Sequence, residues 1–292
     1  IENCLYRKDI PDAMFRQTTT DEVIPYSKKQ SIPGRIDLSD YDLGKNNFAY
    51  YDTDVSDNRD NGEFRAWNSG WSYRNDGVDI QENDDLQNSN GKHIGFTQKG
   101  EWISYSVKVF QTGAYKAIAR IASEQTGGEF HLSLNGEDIT ATQSITGTGS
   151  WTTFKNHSDI NDIILEEGEH VLKLHFDNDT PINISSIKFE RTGAANSVDF
   201  AAINGNTVSD EKSIELSFNQ PISSSSISSS KDDFSIVVNG VEKEINSVSS
   251  VSNKQRKIMI TLKENLLFSD EIKANYSGSS LISNSGQELK SF

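Results

Sequence analysis

Three large rings crowd one wet stretch of this chain. Trp67, Trp71 and Tyr73 all fall within the polar segment Arg65–Gly77, which reads as an extended loop. Exposed aromatic groups of this kind mark binding surfaces; the alternative is a loop folded over its own small cluster. A second pair, Tyr50 and Tyr51, sits in a strand-like stretch. Alternation there sends one ring into the core and leaves the other free to line a cleft. Aromatic faces stack on the apolar C–H face of a pyranose, and amides or carboxylates bond its hydroxyls. Rings flanked by Asn, Asp and Glu therefore carry the chemistry of sugar recognition.

Catalysis finds little support. The five histidines, His93, His131, His157, His170 and His175, build no HExxH helix, and the chain has no phosphate-binding glycine loop or nucleophile elbow. His170 and His175 fall at the start and on the polar face of one strand, in structural or solvated positions. Paired acids for glycoside hydrolysis must face each other across a cleft, and spacing alone does not pair the many acids here. Asp52–Glu63 has the oxygen spacing of a calcium-binding EF-hand loop, but Asp57 stands where the turn needs glycine and no helices flank it. It reads as an acidic, solvated loop.

The elements that must position these residues are strands. Ile103, Tyr105, Val107 and Val109 alternate along Glu101–Val109. Tyr115, Ala117, Ala119 and Ile121 repeat the pattern, as do Phe130, Leu132 and Leu134, and then Leu172, Leu174 and Phe176. Such period-two runs bury one face of a strand. Asn135-Gly136 and Asn239-Gly240 are tight hairpin signals. Gly193-Ala194-Ala195-Asn196 reads as a boundary, followed by strands at Val198–Ile203, Ser213–Phe218, Phe234–Val238, Val241–Val248, Lys257–Leu262 and Glu271–Tyr276. The serine run Ser223–Ser230 reads as a flexible surface loop. These patterns predict an all-β chain: residues 1–31 a linker or the tail of a preceding domain, 32–192 a first β-sandwich, and 193–292 an immunoglobulin-like β-sandwich.

Composition narrows the partners. The chain has 292 residues and a net charge of −15. That acidity argues against nucleic acid and against anionic membrane surfaces. The single cysteine, Cys4, excludes a disulfide framework within the chain. No apolar stretch approaches the roughly 20 residues that span a bilayer. The start at Ile1 reads as a fragment of a longer, processed polypeptide.

From about Ile32 to Thr192 the chain resembles a family 6 carbohydrate-binding module. The segments that carry the resemblance occur in order: Ile32–Asp42 (IPGRIDLSDYD), Phe48–Thr53 (FAYYDT), Gly77–Ile80 (GVDI), Gly91–Thr97 (GKHIGFT), Gly100–Val107 (GEWISYSV), Thr148–Trp151 (TGSW) and Asn183–Phe189 (NISSIKF). The resemblance implies a jelly-roll β-sandwich that binds glycans without chemistry and is appended to secreted glycoside hydrolases. It implies that Trp151 stacks on a sugar ring and that Asn183 bonds a hydroxyl; the alternatives are a core tryptophan and an amide satisfying local backbone. Lys92 lies near a position where some members carry a stacking ring, so one half of the usual aromatic pair is expected to be missing. Trp102 is expected to be structural. The family's structural calcium corresponds here to Asp37, Ser39 and Ser185, a set in which two expected acidic or amide ligands are hydroxyls. The second sandwich resembles, more loosely, bacterial immunoglobulin-like spacers through Leu216–Ile222 (LSFNQPI) and Asp270–Gly278 (DEIKANYSG). The expected function is therefore extracellular, non-catalytic polysaccharide binding that targets a catalytic domain of the same polypeptide. The alternative is a structural or adhesion segment.

Overall fold

The computed structural model describes residues 21–53, 73–74 and 77–292. Trp67, Trp71, most of the acidic Asp52–Glu63 stretch, Cys4 and most of the proposed N-terminal linker lie outside them. The described part is built of strands, in keeping with the all-β expectation.

In chain order the first strands are β1 (Gln30–Ile32), β2 (Gly34–Asp37), β3 (Tyr50–Tyr51), β4 (Ile80–Glu82), β5 (Lys92–Ile94), β6 (Trp102–Val109), β7 (Gly113–Ser123), β8 (Glu129–Leu134), β9 (Glu137–Asp138), β10 (Gln143–Ser144), β11 (Ser150–Leu165), β12 (Gly168–Phe176) and β13 (Asn183–Gly193). One sheet runs β1-β6-β12-β8-β10, with β3 paired to β6 and β9 to β8. The other runs β11-β7-β13-β5-β4, with β2 paired to β13. The alternating runs supply the space between them. Ile103, Tyr105, Val107 and Val109 from one sheet and Tyr115, Ala117, Ala119 and Ile121 from the other share one buried cluster with Phe130, Leu132, Leu172, Leu174, Ile184, Ile187 and Phe189. Two sheets facing across one apolar layer are a β-sandwich.

The second set is β14 (Ala202–Thr207), β15 (Ser213–Phe218), β16 (Phe234–Val238), β17 (Val241–Lys243), β18 (Ile245–Ser250), β19 (Lys257–Leu262) and β20 (Ile272–Tyr276). They form a sheet β14-β15-β19-β18 and a sheet β17-β16-β20 around a separate core that includes Phe200, Phe218, Ile236, Ile258, Ile260 and Leu281. Three sequence expectations change here. The single strand expected at Val241–Val248 is divided between β17 in one sheet and β18 in the other. The strand expected at Val198–Ile203 begins at Ala202, because Val198 packs against Ala114 and Ile164 of the first sandwich while Phe200 enters the second core. The serine run is a helical turn, Ser224–Ile227, continued by a 3-10 stretch. Ile227 pins it to the core, and Ser226, Ser229 and Ser230 donate their hydroxyls to carbonyls three residues back.

Polar contacts join the two sandwiches. Asn135 and Gly136 both adopt positive φ, 52° and 76°, and close the β8–β9 hairpin, as two-residue turns of this kind require. The Gly136 carbonyl accepts from Lys254 Nζ at 2.8 Å, and Glu137 Oε1 accepts the Arg256 N–H at 2.7 Å. The buried Arg256 guanidinium donates to the carbonyl of Ile164 at 2.8 Å and to that of Asn219, one from each sandwich. Asp138 accepts from Ser217 and Asn204 at 3.3 and 3.4 Å and faces Lys257 Nζ at 3.8 Å.

Asp138 also faces His131, whose Nδ1 lies 2.7 Å from Asp177 and whose ring stacks on His175 at 4.4 Å. Burial alone would lower the pKa of His131, but its hydrogen bonds to Asp138 and Asp177 push it up to about 9. His175 falls to about 4 through burial and the charge of His131. One stacked imidazole is thus charged and its neighbour neutral.

Replacing Arg256 by Met removes the donor that bridges the Ile164 and Asn219 carbonyls, and is expected to cost about 2–4 kcal/mol in chemical denaturation. The histidine pair sets opposite pH limbs. The raised pKa of His131 contributes stability below pH 6.5 that is lost as pH climbs through about 9. The depressed pKa of His175 contributes stability above pH 6.5 that is lost as pH falls toward about 4. Calorimetric melting temperature should fall on both sides of that pH, and His131→Gln should flatten the alkaline limb.

Candidate functional site

At one end of the first sandwich, strands distant in sequence bring Gln81, Glu82, His93, Phe96, Trp151, Thr152 and Asn183 around a cleft of ≈490 Å³. Each wall has a local cause. Thr148-Gly149 turns the chain into β11: the Thr148 hydroxyl accepts the Ser123 N–H at 2.9 Å and lies 3.1 Å from the carbonyls of Ser123 and Ser150. Between Ser150 and Lys155 the register of β11 against β7 shifts. Trp151 falls in that irregular stretch, half-buried at the cleft wall.

Phe96 forms another part of the wall. It is 45% exposed and holds a φ of 52°, uncommon for a residue with a side chain. Its neighbours hold it there. The Thr97 hydroxyl accepts the Ile182 N–H at 3.0 Å and lies 3.4 Å from the Ile182 carbonyl, tying the loop after β5 to the start of β13. The Gly95 N–H donates to the Asp79 carbonyl at 3.0 Å.

The floor is polar. Asn183, the first residue of β13, is 7% exposed. Its Nδ2 donates to the Trp151 carbonyl at 2.8 Å, so the amide orientation is set and Oδ1 faces Gly95. A Cβ at position 95 would meet that Oδ1 at 2.8 Å, so the close approach requires glycine. His93 lies beside it, packed edge-to-face on Phe154 with ring centres 5.3 Å apart.

Two rings over a floor of amide groups offer apolar faces for stacking and oxygens for hydroxyls. The expected site residues divide accordingly. Trp151 and Asn183 meet in the cleft. Lys92 does not line it: strand alternation turns it away from His93, and its Nζ pairs with Glu82 at 2.6 Å and lies over the Tyr73 ring. The ring thought to be missing near Lys92 stands four residues on, as Phe96. Phe96 belongs to the segment GKHIGFT, and a ring directly after a glycine is the signal in the sequence that marks it. Of the tyrosine pair, Tyr50 is the ring that alternation sends into the core and not a cleft residue. It is 4% exposed, inside the first core, with its ring edge toward Tyr41. Tyr51 points the other way but lies in the opposite sheet, paired to Trp102, and is not among the residues lining the cleft. Trp102 carries Lys173 Nζ 3.3 Å from its ring centre.

The positions that the resemblance assigns to calcium have partners within the protein. Arg35 Nε lies 3.0 Å from Asp37 Oδ1, and Nη2 donates to Oδ2 at 3.2 Å. Ser39 and Asn90 bond each other, and the Ser185 hydroxyl donates to the Arg120 carbonyl at 3.3 Å. Asp40, alongside, accepts from Tyr73 and from Asn90 at 3.2 Å. Burial raises the pKa of both Asp37 and Asp40. Among the described residues no group of three or more His, Cys, Asp or Glu gathers for a metal.

A β-sandwich with an aromatic-walled, amide-floored cleft at its loop end has the form of a carbohydrate-binding module. Residues 71–191 match the model of carbohydrate binding module family 6, and the first sandwich is a domain of that family, a non-catalytic binding module. Comparison with curated proteins returned no match. Several solved structures are similar. A family 6 module from Clostridium cellulolyticum in complex with xylose is 22% identical, with 56% of this chain and 100% of that one covered and a TM-score of 0.37. A β-1,3-glucan-binding module from Bacillus halodurans is 17% identical over 56% of this chain and 99% of its own, at a TM-score of 0.39. A module of Cellvibrio mixtus lichenase 5A in complex with cellotriose is 25% identical over 40% of this chain and 88% of its own, at 0.35.

Gly95→Ala is expected to push the Asn183 amide off the Trp151 carbonyl. Overpacking of this kind costs about 1–3 kcal/mol, measurable by urea denaturation.

Proposed function

We propose that the chain is a polysaccharide-binding segment that seats a sugar ring against Phe96 and Trp151, with Asn183 and Gln81 bonding its hydroxyls. The observation that carries this reading is the meeting of two accessible rings and an oriented amide in one cleft of a family 6 domain. The segment holds an attached glycoside hydrolase of the same polypeptide near its substrate, outside the cell, by raising effective concentration. The second sandwich is an immunoglobulin-like spacer whose polar contacts with the first hold the module at a set angle.

Affinity electrophoresis and calorimetry against plant, fungal and algal polysaccharides test the reading. Binding without sugar release is expected, and Trp151→Ala and Phe96→Ala should each weaken it about tenfold or more, the scale of a buried aromatic anchor. Binding unchanged in both variants would move the reading to a structural or adhesion segment.

A further inference from the structure

The floor of the cleft contains a polar side chain that the protein itself leaves unanswered. His93 is 3% exposed, and neither of its ring nitrogens has a hydrogen-bond partner. Buried polar groups are paired as a rule, and those that are not call for a specific explanation. Packing does not supply one. The contact with Phe154 is edge-to-face between rings, and a phenyl group would make it without unpaired nitrogens. The backbone does not supply one either, since His93 sits in a regular pairing with Gln81.

Its surroundings point to a ligand. His93 lines the same cleft as Phe96, Trp151 and Asn183. Burial lowers its pKa to about 4, so the ring is neutral at ordinary pH. A neutral imidazole has one donor and one acceptor, and a hydroxyl is both, so the two match in either sense. Glu82, the charged residue of the cleft lining, is paired with Lys92 Nζ at 2.6 Å. The polar side chains that remain are the Asn183 and Gln81 amides, the Thr152 hydroxyl and His93, all uncharged.

We propose that His93 is a ligand-bonding residue of the cleft, that it hydrogen-bonds a hydroxyl of the sugar held by Phe96 and Trp151, and that the site thereby selects uncharged, hydroxyl-rich polysaccharide over uronate or sulfated chains. The proposal rests on the reading of the cleft as a sugar site. Retaining an unpaired imidazole costs the free protein stability, and the ligand hydroxyl offsets that cost on binding.

The test uses the full chain, wild type and the variants His93→Phe, His93→Gln and Trp151→Ala. Calorimetry is run against a soluble xylan, a β-1,3-glucan, a cello-oligosaccharide, a polyuronate and a sulfated galactan, with thermal melting of each protein alongside. Wild type should bind an uncharged glycan. His93→Phe should weaken it about tenfold or more while melting at the same temperature or higher, and His93→Gln, which keeps a donor and an acceptor, should recover part of the affinity. Affinity within twofold of wild type for His93→Phe, with Trp151→Ala still defective, overturns the role of His93 and leaves the cleft standing. Loss of affinity together with a lower melting temperature assigns His93 to structure and overturns it too. Preference for the polyuronate or sulfated galactan overturns the selection for uncharged chains. A wild type that binds none of the five overturns both readings.

Discussion

Asn183 donates its amide N–H to the carbonyl of Trp151, across 32 residues of sequence, and the geometry of the cleft depends on that bond. The amide enters β13 at its first residue, where the Thr97 hydroxyl already ties the preceding Ile182 to the loop carrying Phe96. A ring from the loop after β5 and a ring from the start of β11 are thereby referred to one strand start. Stacking recognition needs this. A ring face presents apolar area to a sugar only if its plane is held, and loops without such ties lose that preorganisation to side-chain entropy. The positive φ of Phe96 and the missing Cβ at Gly95 belong to the same arrangement: one turns the ring outward, the other leaves room for Asn183 Oδ1.

The joint between the sandwiches follows a different logic. Each body buries its own apolar layer, and the contacts between them are mainly directional: a guanidinium bridging two carbonyls, a carboxylate shared among a lysine, a serine and an asparagine, and a hairpin carbonyl capped by Lys254. Hydrogen bonds of this kind set orientation more sharply than apolar contact does. The stacked histidines on the neighbouring sheet face keep opposite charge states because Asp138 and Asp177 bond only one of them directly.

Much of the architecture was legible because it rests on period-two burial. The alternating runs from Ile103 to Phe176 enter the first core as read, and both Asn-Gly pairs form tight turns with positive φ. What escaped were departures from the period. A bulge opposite β7 shifts the register between Ile184 and Ser186, so Ile184 and Ile187 both face inward while Ser185 and Ser186 are buried between them. The serine run became helical because a single residue, Ile227, had a core to enter.

Within the site, the sequence by itself determined which residue types were on offer: Trp151 after a Thr-Gly turn and Asn183 opening the last strand of the first sandwich. Tertiary structure decided which of them meet. It sent Tyr50 into the core and Lys92 to Glu82, brought Phe96 to the cleft, and placed an unpaired His93 beneath it. The physical reason is that local pattern fixes only the face of a strand to which a side chain points. Which loop tips converge at the end of a sandwich depends on strand order and register, set by hydrogen bonds between segments that lie tens of residues apart.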